Sequence, residues 1–277
     1  MANFTAADVK ALREETGAGM MDVKNALTEA DGDREKALEI IRLKGLKSLS
    51  KREDREATAG LIVAEVAEDG KSGVMIEVNS ETDFVAKTDK FIDFANQVLA
   101  AAVAAEASDL DSLLAAPAGD ETVADLINAA GALVGEKVQV RRISRVTGDN
   151  VDVYLHQTSR DLPPQVGVFV VTDENAAAVA HDIGMHIAAF RPQWLDRDDA
   201  PADVVEKERS TLTKLTLQDG KPEAIVPKIV EGRLNAFFKE NCLVDQDFAR
   251  DPSMTVGKVV KDQNGTVNEF VRFQVGA

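Results

Sequence analysis

The spacing of apolar residues predicts helices in the N-terminal part of the chain. Val9 and Leu12 lie three positions apart behind Thr5, a residue type that favours the position just before a helix. Two further segments before residue 45 show similar apolar spacing, and glycine-containing segments separate the three predicted helices. The pattern therefore predicts a three-helix bundle over residues 1–45. The charged segment 46–57 has no apolar stripe and is interpreted as a linker.

The next part of the chain shows a strand pattern first and a helix pattern afterwards. Alternating apolar and polar residues at 61–67 and 74–79 predict two strands joined by a glycine-rich turn. Apolar spacing then predicts a long helix at 82–105 and a second helix at 122–135. Alternation returns at 137–146, which predicts a third strand.

The same order of elements recurs further along the chain. Gly73 begins the sequence Gly-Val-Met-Ile-Glu-Val, and Gly167 begins the similar sequence Gly-Val-Phe-Val-Val-Thr. We interpret this similarity as a duplicated α+β core, with subdomain N at 58–140 and subdomain C at 141–200 and 242–277. The elements predicted for the second copy are strands at 151–158 and 166–172 and a helix at 175–190.

The first copy carries about five or six extra residues between its second strand and its long helix. They fall around Ser80–Lys87, in the sequence Ser-Glu-Thr-Asp-Phe-Val-Ala-Lys. An insertion in one copy of a repeated unit is a candidate for function. Two interpretations of Phe84 remain open: the ring packs against the start of the helix, or it contacts a partner.

The segment 201–241 interrupts the second copy with a different pattern. Two apolar stripes at helical spacing flank a turn that contains Gly220 and Pro222. This arrangement predicts an antiparallel coiled-coil hairpin. A short helix at 255–261 and a last strand at 270–275 complete an α+β fold.

The charge balance argues against direct binding of nucleic acid. The chain has 32 Lys and Arg residues, 48 Asp and Glu residues and a net charge of −16. Phosphate binding requires a basic face. The dense basic segment 44–55 also carries Glu53 and Asp54, so a solvated linker is favoured over a nucleic-acid site.

Several sequence features favour a cytoplasmic location without membrane contact. No apolar run reaches the roughly 18 residues that cross a bilayer, and the first residues lack the pattern of an export signal. Cys242 is the one cysteine, which excludes an internal disulfide and fits a reducing compartment.

The chain shows no coherent set of catalytic residues. Phosphate-binding loops, dinucleotide fingerprints and paired metal-binding histidines are missing from the sequence, so no catalytic residue, metal or cofactor is predicted. Cys242 is interpreted as a buried thiol rather than a nucleophile. Met20 and Met21 could belong to the bundle core, but adjacent helical residues do not share a face, so at least one is available to a partner.

Four motifs resemble the translation elongation factor Ts family. They are Leu-Arg-Glu-Glu-Thr-Gly-Ala-Gly-Met-Met-Asp at 12–22, Ile-Glu-Val-Asn-Ser-Glu-Thr-Asp-Phe-Val-Ala-Lys at 76–87, Lys-Ile-Val-Glu-Gly-Arg at 228–233 and Phe-Val-Arg-Phe-Gln-Val-Gly at 270–276. The match follows the chain order over nearly its whole length. The family layout also fits: a ubiquitin-associated-like bundle, a duplicated core and a coiled-coil hairpin.

The resemblance implies that the chain is a guanine nucleotide exchange factor that binds the GTPase elongation factor Tu and promotes GDP release during translation elongation. It assigns the exchange wedge, which enters the GTPase beside its Mg²⁺ and phosphate site, to Thr82, Asp83, Phe84 and Val85. It assigns partner contacts to Arg13, Met20, Met21, Met185 and His186. The alternative is an adaptor, a binding module with no effect on nucleotide.

Overall fold

The computed structural model describes residues 3–16, 18–49 and 54–277. Three helices form its N-terminal part: α1 at Ala6–Thr16, α2 at Met20–Glu29 and α3 at Arg34–Leu49. Their shared core consists of Leu12, Val23, Ala26, Leu27, Ala30 and Ala37.

The helix boundaries of the bundle follow local capping, with one correction. Thr5 and Asp8 form reciprocal hydrogen bonds at the start of α1, as expected for a capping box. Helix α3 continues through Gly45 to Leu49, so the predicted end of the bundle at residue 45 is wrong. A glycine inside a helix costs only about 1 kcal/mol relative to alanine, which the surrounding residues can offset. The linker prediction falls in part on residues 50–53, which lie outside the described residues.

The first half of the core is built on an antiparallel sheet in the order β1-β2-β5. Its strands are β1 at Ala59–Val66, β2 at Ser72–Ser80 and β5 at Gln139–Thr147. Between β2 and β5 lie α4 at Asp83–Ala86, α5 at Asp89–Ala104, α6 at Leu110–Leu114, the short strands β3 at Pro117–Ala118 and β4 at Glu121–Thr122, and α7 at Val123–Val134.

The predicted long helix at 82–105 is wrong in one respect, because the chain forms two helices there. Thr88 interrupts it with an extended backbone, and its hydroxyl accepts a hydrogen bond from the backbone N–H of Phe91 at 3.3 Å. Thr88 thereby caps α5 and separates it from the single turn of α4.

The second half repeats this topology with the sheet order β6-β7-β10. Its strands are β6 at Asn150–His156, β7 at Val166–Thr172 and β10 at Val267–Gln274. In both halves a hairpin leads into the central strand, helices follow, and the last strand pairs with the other edge of the central strand. Helix α8 at Ala177–Phe190 follows β7 after one 3₁₀ turn at Glu174–Ala176.

The two sheets pack face to face with reciprocal contacts at their central strands. A Cβ added to Gly73 would lie 2.8 Å from the ring of Phe169, and one added to Gly167 would lie 2.8 Å from Sδ of Met75. Each glycine therefore accommodates the side chain two residues beyond the other glycine. Helices α5 and α7 cover the outer face of the first sheet, and α8 covers that of the second.

The predicted helical hairpin is present in the structure. Helix α9 spans Ala202–Gln218, and α10 spans Val226–Asn241 after a 3₁₀ turn at Glu223–Ile225. At its base the backbone N–H of Trp194 donates to the carbonyl of Asn241, and the indole lies 5.8 Å from the ring of Phe237. The remaining elements are a 3₁₀ turn at Leu243–Asp245, β8 at Asp247–Phe248, β9 at Asp251–Thr255 and α11 at Val256–Asp262.

Candidate functional site

Helix α4 presents an aromatic ring to solvent at the junction between β2 and α5. Phe84 is 71% exposed, and the ammonium of Lys87 lies over its ring, 4.7 Å from the centroid. Asp83 beside it is also exposed. The interpretation in which Phe84 packs against the helix start is therefore wrong, because the ring is not buried.

The opposite side of α4 is anchored to the core. Ala86 is buried and Val85 packs against the first hydrophobic cluster. Eight residues, 81–88, separate β2 from α5, whereas four, 173–176, separate β7 from α8. The first half thus has four more residues at this junction, slightly fewer than the sequence comparison predicted, and they allow the extra helical turn.

Two carboxylates connect the base of α4 to the end of α7. Glu136 accepts hydrogen bonds from the backbone N–H of Thr82 at 2.9 Å and from its hydroxyl at 2.6 Å. Glu81 accepts from the backbone N–H of Lys137 at 2.6 Å and from the guanidinium of Arg55 at 3.2 Å. Charge-assisted bonds of this kind are about twice as strong as neutral ones, so the turn before Phe84 is fixed from both directions.

The N-terminal bundle exposes a second apolar surface. Met20 is 58% and Met21 is 64% exposed, and Arg13 is exposed on the neighbouring helix. The alternative that both methionines belong to the core is wrong, because Val23, Ala26 and Leu27 fill the inward face of α2. Two flexible thioethers on one helix start offer an adaptable apolar contact.

The predicted contact residues of α8 separate in the structure. Met185 is 38% exposed, but His186 is completely buried. In this conformation His186 cannot touch a partner, which corrects the direct contact expected of it. Phe190 is stacked on the imidazole at a centroid distance of 4.7 Å and is 52% exposed, so Phe190 is the aromatic surface at this position.

The hydrogen bonds of His186 define its protonation. Its Nδ1 accepts from the backbone N–H of Ala249 at 3.1 Å, so the proton of the neutral ring lies on Nε2 and is donated to Oε1 of Gln246 at 2.8 Å. Burial lowers the pKa of His186, and the hydrogen bond with Gln246 opposes that shift. The histidine is therefore neutral and structural at pH 7.

Sequence reasoning did not identify Glu136 or Phe190. Glu136 lies 54 positions from Thr82, and no local pattern connects the two. Phe190 is the last residue of a helix, where an apolar side chain is equally consistent with the core. Only the fold brings these residues to the candidate contact surfaces.

Comparison with known proteins shows which family the chain belongs to. The sequence profile of the family described as Elongation factor TS matches residues 81–277. Proteins named Elongation factor Ts match this chain over its full length and over their own full length. The protein from Beutenbergia cavernae is 57% identical over 281 residues, and the one from Micrococcus luteus is 58% identical over 279. The chain belongs to the elongation factor Ts family.

Membership of the elongation factor Ts family assigns the molecular function. The chain is a guanine nucleotide exchange factor of translation elongation, and its partner is elongation factor Tu. Within the described residues, no helix is both long and apolar enough to cross a membrane.

Proposed function

We propose that the chain promotes release of GDP from elongation factor Tu by binding to it, with Asp83 and Phe84 of α4 acting as a wedge against the nucleotide site. The observation that carries the proposal is the exposed ring of Phe84 on an otherwise anchored helical turn. An exposed aromatic ring on a fixed turn is available to a partner, and aromatic side chains are enriched at the cores of protein–protein interfaces. No chemical step by the chain itself is required.

The driving force for release is thermodynamic linkage. A factor that binds the nucleotide-free GTPase more tightly than the GDP form weakens GDP binding by the same ratio. Weakening GDP binding by about 10⁴-fold requires roughly 5.5 kcal/mol of differential binding. Burying one phenylalanine contributes only about 1.5–3 kcal/mol, so Phe84 needs help from other contacts.

The additional contacts come from two other exposed surfaces. The bundle offers Arg13, Met20 and Met21, and α8 offers Met185 and Phe190. Binding at separate surfaces provides free energy that positions α4 against the GTPase. Several separate contact surfaces together with the wedge can therefore supply the required differential binding free energy better than a single contact would.

Asp83 supplies a charge of the appropriate sign. Its exposed carboxylate precedes Phe84, so a docked α4 brings a negative charge toward the phosphates of GDP and its Mg²⁺. Repulsion of the phosphates and competition for the surroundings of the metal both weaken the bound nucleotide.

The finer architecture belongs to the same proposal. We regard the bundle as ubiquitin-associated-like, the core as a duplicated unit and the segment 201–241 as a coiled-coil insertion. Superposition of the strands that begin at Val74 and Val168 tests the duplication, and unrelated positions for the two would contradict it. We also place the factor in the cytoplasm, without direct contact to nucleic acid or membrane.

Release of a fluorescent GDP from elongation factor Tu tests the wedge. The wild-type chain should accelerate release, and Phe84→Ala should slow the maximal rate by at least about tenfold, which corresponds to ~1.4 kcal/mol. An adaptor would bind without changing the release rate. Acceleration by the wild type and by Phe84→Ala to the same extent would exclude the wedge but leave exchange by other contacts.

A further inference from the structure

The two carboxylates at the base of α4 connect the turn before α4 to the residues that follow α7. Residues 81–82 and 136–137 exchange hydrogen bonds in both directions: Glu136 accepts from Thr82, and Glu81 accepts from the backbone of Lys137. The second half has a related connection with a single carboxylate, because Asp173 accepts from the backbone N–H of Thr266 at 3.0 Å and from its hydroxyl at 3.1 Å. There Asp173 caps its own turn through the backbone N–H of Ala176 at 3.0 Å.

We infer that Glu136 is a positioning residue for exchange, one that acts through Thr82 to hold Phe84 in the orientation in which it reaches the GTPase. The inference rests on the wedge proposed above. Both oxygens of the Glu136 carboxylate are used, one on the backbone N–H and one on the hydroxyl of Thr82. Thr82 is the residue directly before α4, so its placement determines the direction in which α4 begins.

The length of α4 explains why an external anchor is needed. Four residues, Asp83–Ala86, form a single turn, and isolated helices of this length are not stable on their own. The side chain of Thr82 makes no capping hydrogen bond to α4, and its hydroxyl donates to Glu136. The orientation of Phe84 is thus set by contacts from outside its own helix.

The same connection continues toward the N-terminal bundle. Arg55 donates to Glu81, and the ammonium of Lys137 donates to the carbonyl of Arg55 at 3.0 Å. The segment that leads from the bundle into the core therefore touches the base of the wedge. Glu136 and Glu81 together hold three parts of the chain at one place: the entry to the core, the turn before α4 and the end of α7.

A merely structural role would predict a different set of effects. If Glu136 only stabilised the fold, its removal would lower the melting temperature and leave exchange per folded molecule unchanged. If it positions Phe84, its removal lowers the maximal release rate in a protein that remains folded. Its effect must also disappear when Phe84 is already absent, because nothing is then left to position.

The experiment compares Glu136→Ala, Phe84→Ala and the double variant in release of fluorescent GDP from elongation factor Tu. Glu136→Ala is expected to slow maximal release roughly five- to tenfold, which corresponds to the net contribution of about one ordinary hydrogen bond. In the Phe84→Ala background it should add less than about twofold, because the two residues act as one unit.

A matched control exists at the other end of α7. Asp125 accepts from the backbone N–H of Thr122 at 3.2 Å and from its hydroxyl at 2.7 Å, the same Thr–carboxylate arrangement placed away from the wedge. Asp125→Asn should lower stability and leave release per folded molecule at the wild-type rate. Thr82→Val should reproduce the effect of Glu136→Ala.

The outcomes separate the two ideas. Slow release by Phe84→Ala together with normal release by Glu136→Ala would overturn the positioning role and preserve the wedge. Normal release by Phe84→Ala would overturn the wedge and the positioning role with it. Independent, multiplying effects in the double variant would also overturn the inference, since Glu136 would then act by another route.

Discussion

Phe84 and Phe91 lie seven positions apart and differ in burial, which makes them a matched pair. Phe84 is 71% exposed, whereas Phe91 is 1% exposed in the core of the first half. Phe91→Ala should cost about 3–5 kcal/mol of unfolding free energy through the cavity it leaves. Phe84→Ala should cost well under 1 kcal/mol.

Urea unfolding of the free chain measures both variants under the same conditions. The exposed ring of Phe84 contributes little to the unfolding free energy of the free protein, so any large contribution must come from contacts in the complex. Similar losses of stability for the two variants would show that Phe84 packs in the free protein and would remove the main support for the wedge.

His186 predicts a pH dependence of stability. Its pKa is lowered in the folded chain by burial, while in the unfolded chain it takes up a proton near its ordinary pKa of about 6.5. The unfolded state therefore binds more protons as the pH falls through this value, and stability is lost on acidification.

His186→Gln removes this contribution. The variant should be less stable at pH 7, because the hydrogen bond to Ala249 is disturbed, but its stability should fall less steeply between pH 7 and pH 5. Urea unfolding at a series of pH values gives the slopes, and a slope equal to that of the wild type would mean that other groups dominate.

At the scale of elements, two glycine substitutions should change the stability of the fold in opposite directions, one between the two sheets and one on an exposed helix face. A Cβ at Gly167 would lie 2.7 Å from Ile62 and 2.8 Å from Met75, whereas a Cβ at Gly232, on the exposed side of α10, would meet nothing within 4 Å. Gly167→Ala should destabilise the fold by about 1–3 kcal/mol through overpacking.

Gly232→Ala should stabilise the fold by about 0.5–1 kcal/mol, because alanine loses less backbone entropy in a helix. Thermal unfolding of both variants provides the measurement. A neutral Gly167→Ala would show that the two sheets can separate slightly at no cost, contrary to the close packing at their central strands.

The elements differ in how far the sequence predicted them. Strand β7 coincides with the predicted range 166–172, because a continuous apolar run bounded by turn residues has one reasonable assignment. The break at Thr88 was missed, since the apolar spacing continues across it and only the capping bond with Phe91 marks the start of α5. The short strands β3, β4, β8 and β9 were also missed, because two to five residues carry no measurable periodicity.

The candidate site was predictable in part. Phe84 could be selected because a comparison of the two repeats exposes an insertion. The burial of His186 could not be predicted, since it depends on Gln246 and Ala249, which are about 60 positions away. Contacts between distant segments have no signature in a single sequence.

At the scale of the whole molecule, the bundle meets the core where α3 contacts α7. Arg42 of α3 pairs with Glu121 at 2.9 Å, and both side chains are largely exposed. Such pairs contribute only about 0–1 kcal/mol. The bundle and the core have separate hydrophobic clusters.

Deletion of residues 1–50 should therefore leave the core folded and weaken binding to elongation factor Tu. Calorimetric titration of nucleotide-free elongation factor Tu with both forms measures the change, and circular dichroism verifies the fold. Equal affinity for the two forms would assign the exposed methionines Met20 and Met21 to some other role.

The indole at the base of the hairpin has an optical consequence. The chain contains one tryptophan, Trp194, and its backbone is bonded to both sides of the hairpin exit at Asn241 and Leu243. Because no second indole contributes, the intrinsic emission of the protein is a single-site signal from this junction. Loosening of the hairpin therefore changes the tryptophan emission without a chemical label. Motion confined to α4, in the other half of the core, leaves that emission unchanged.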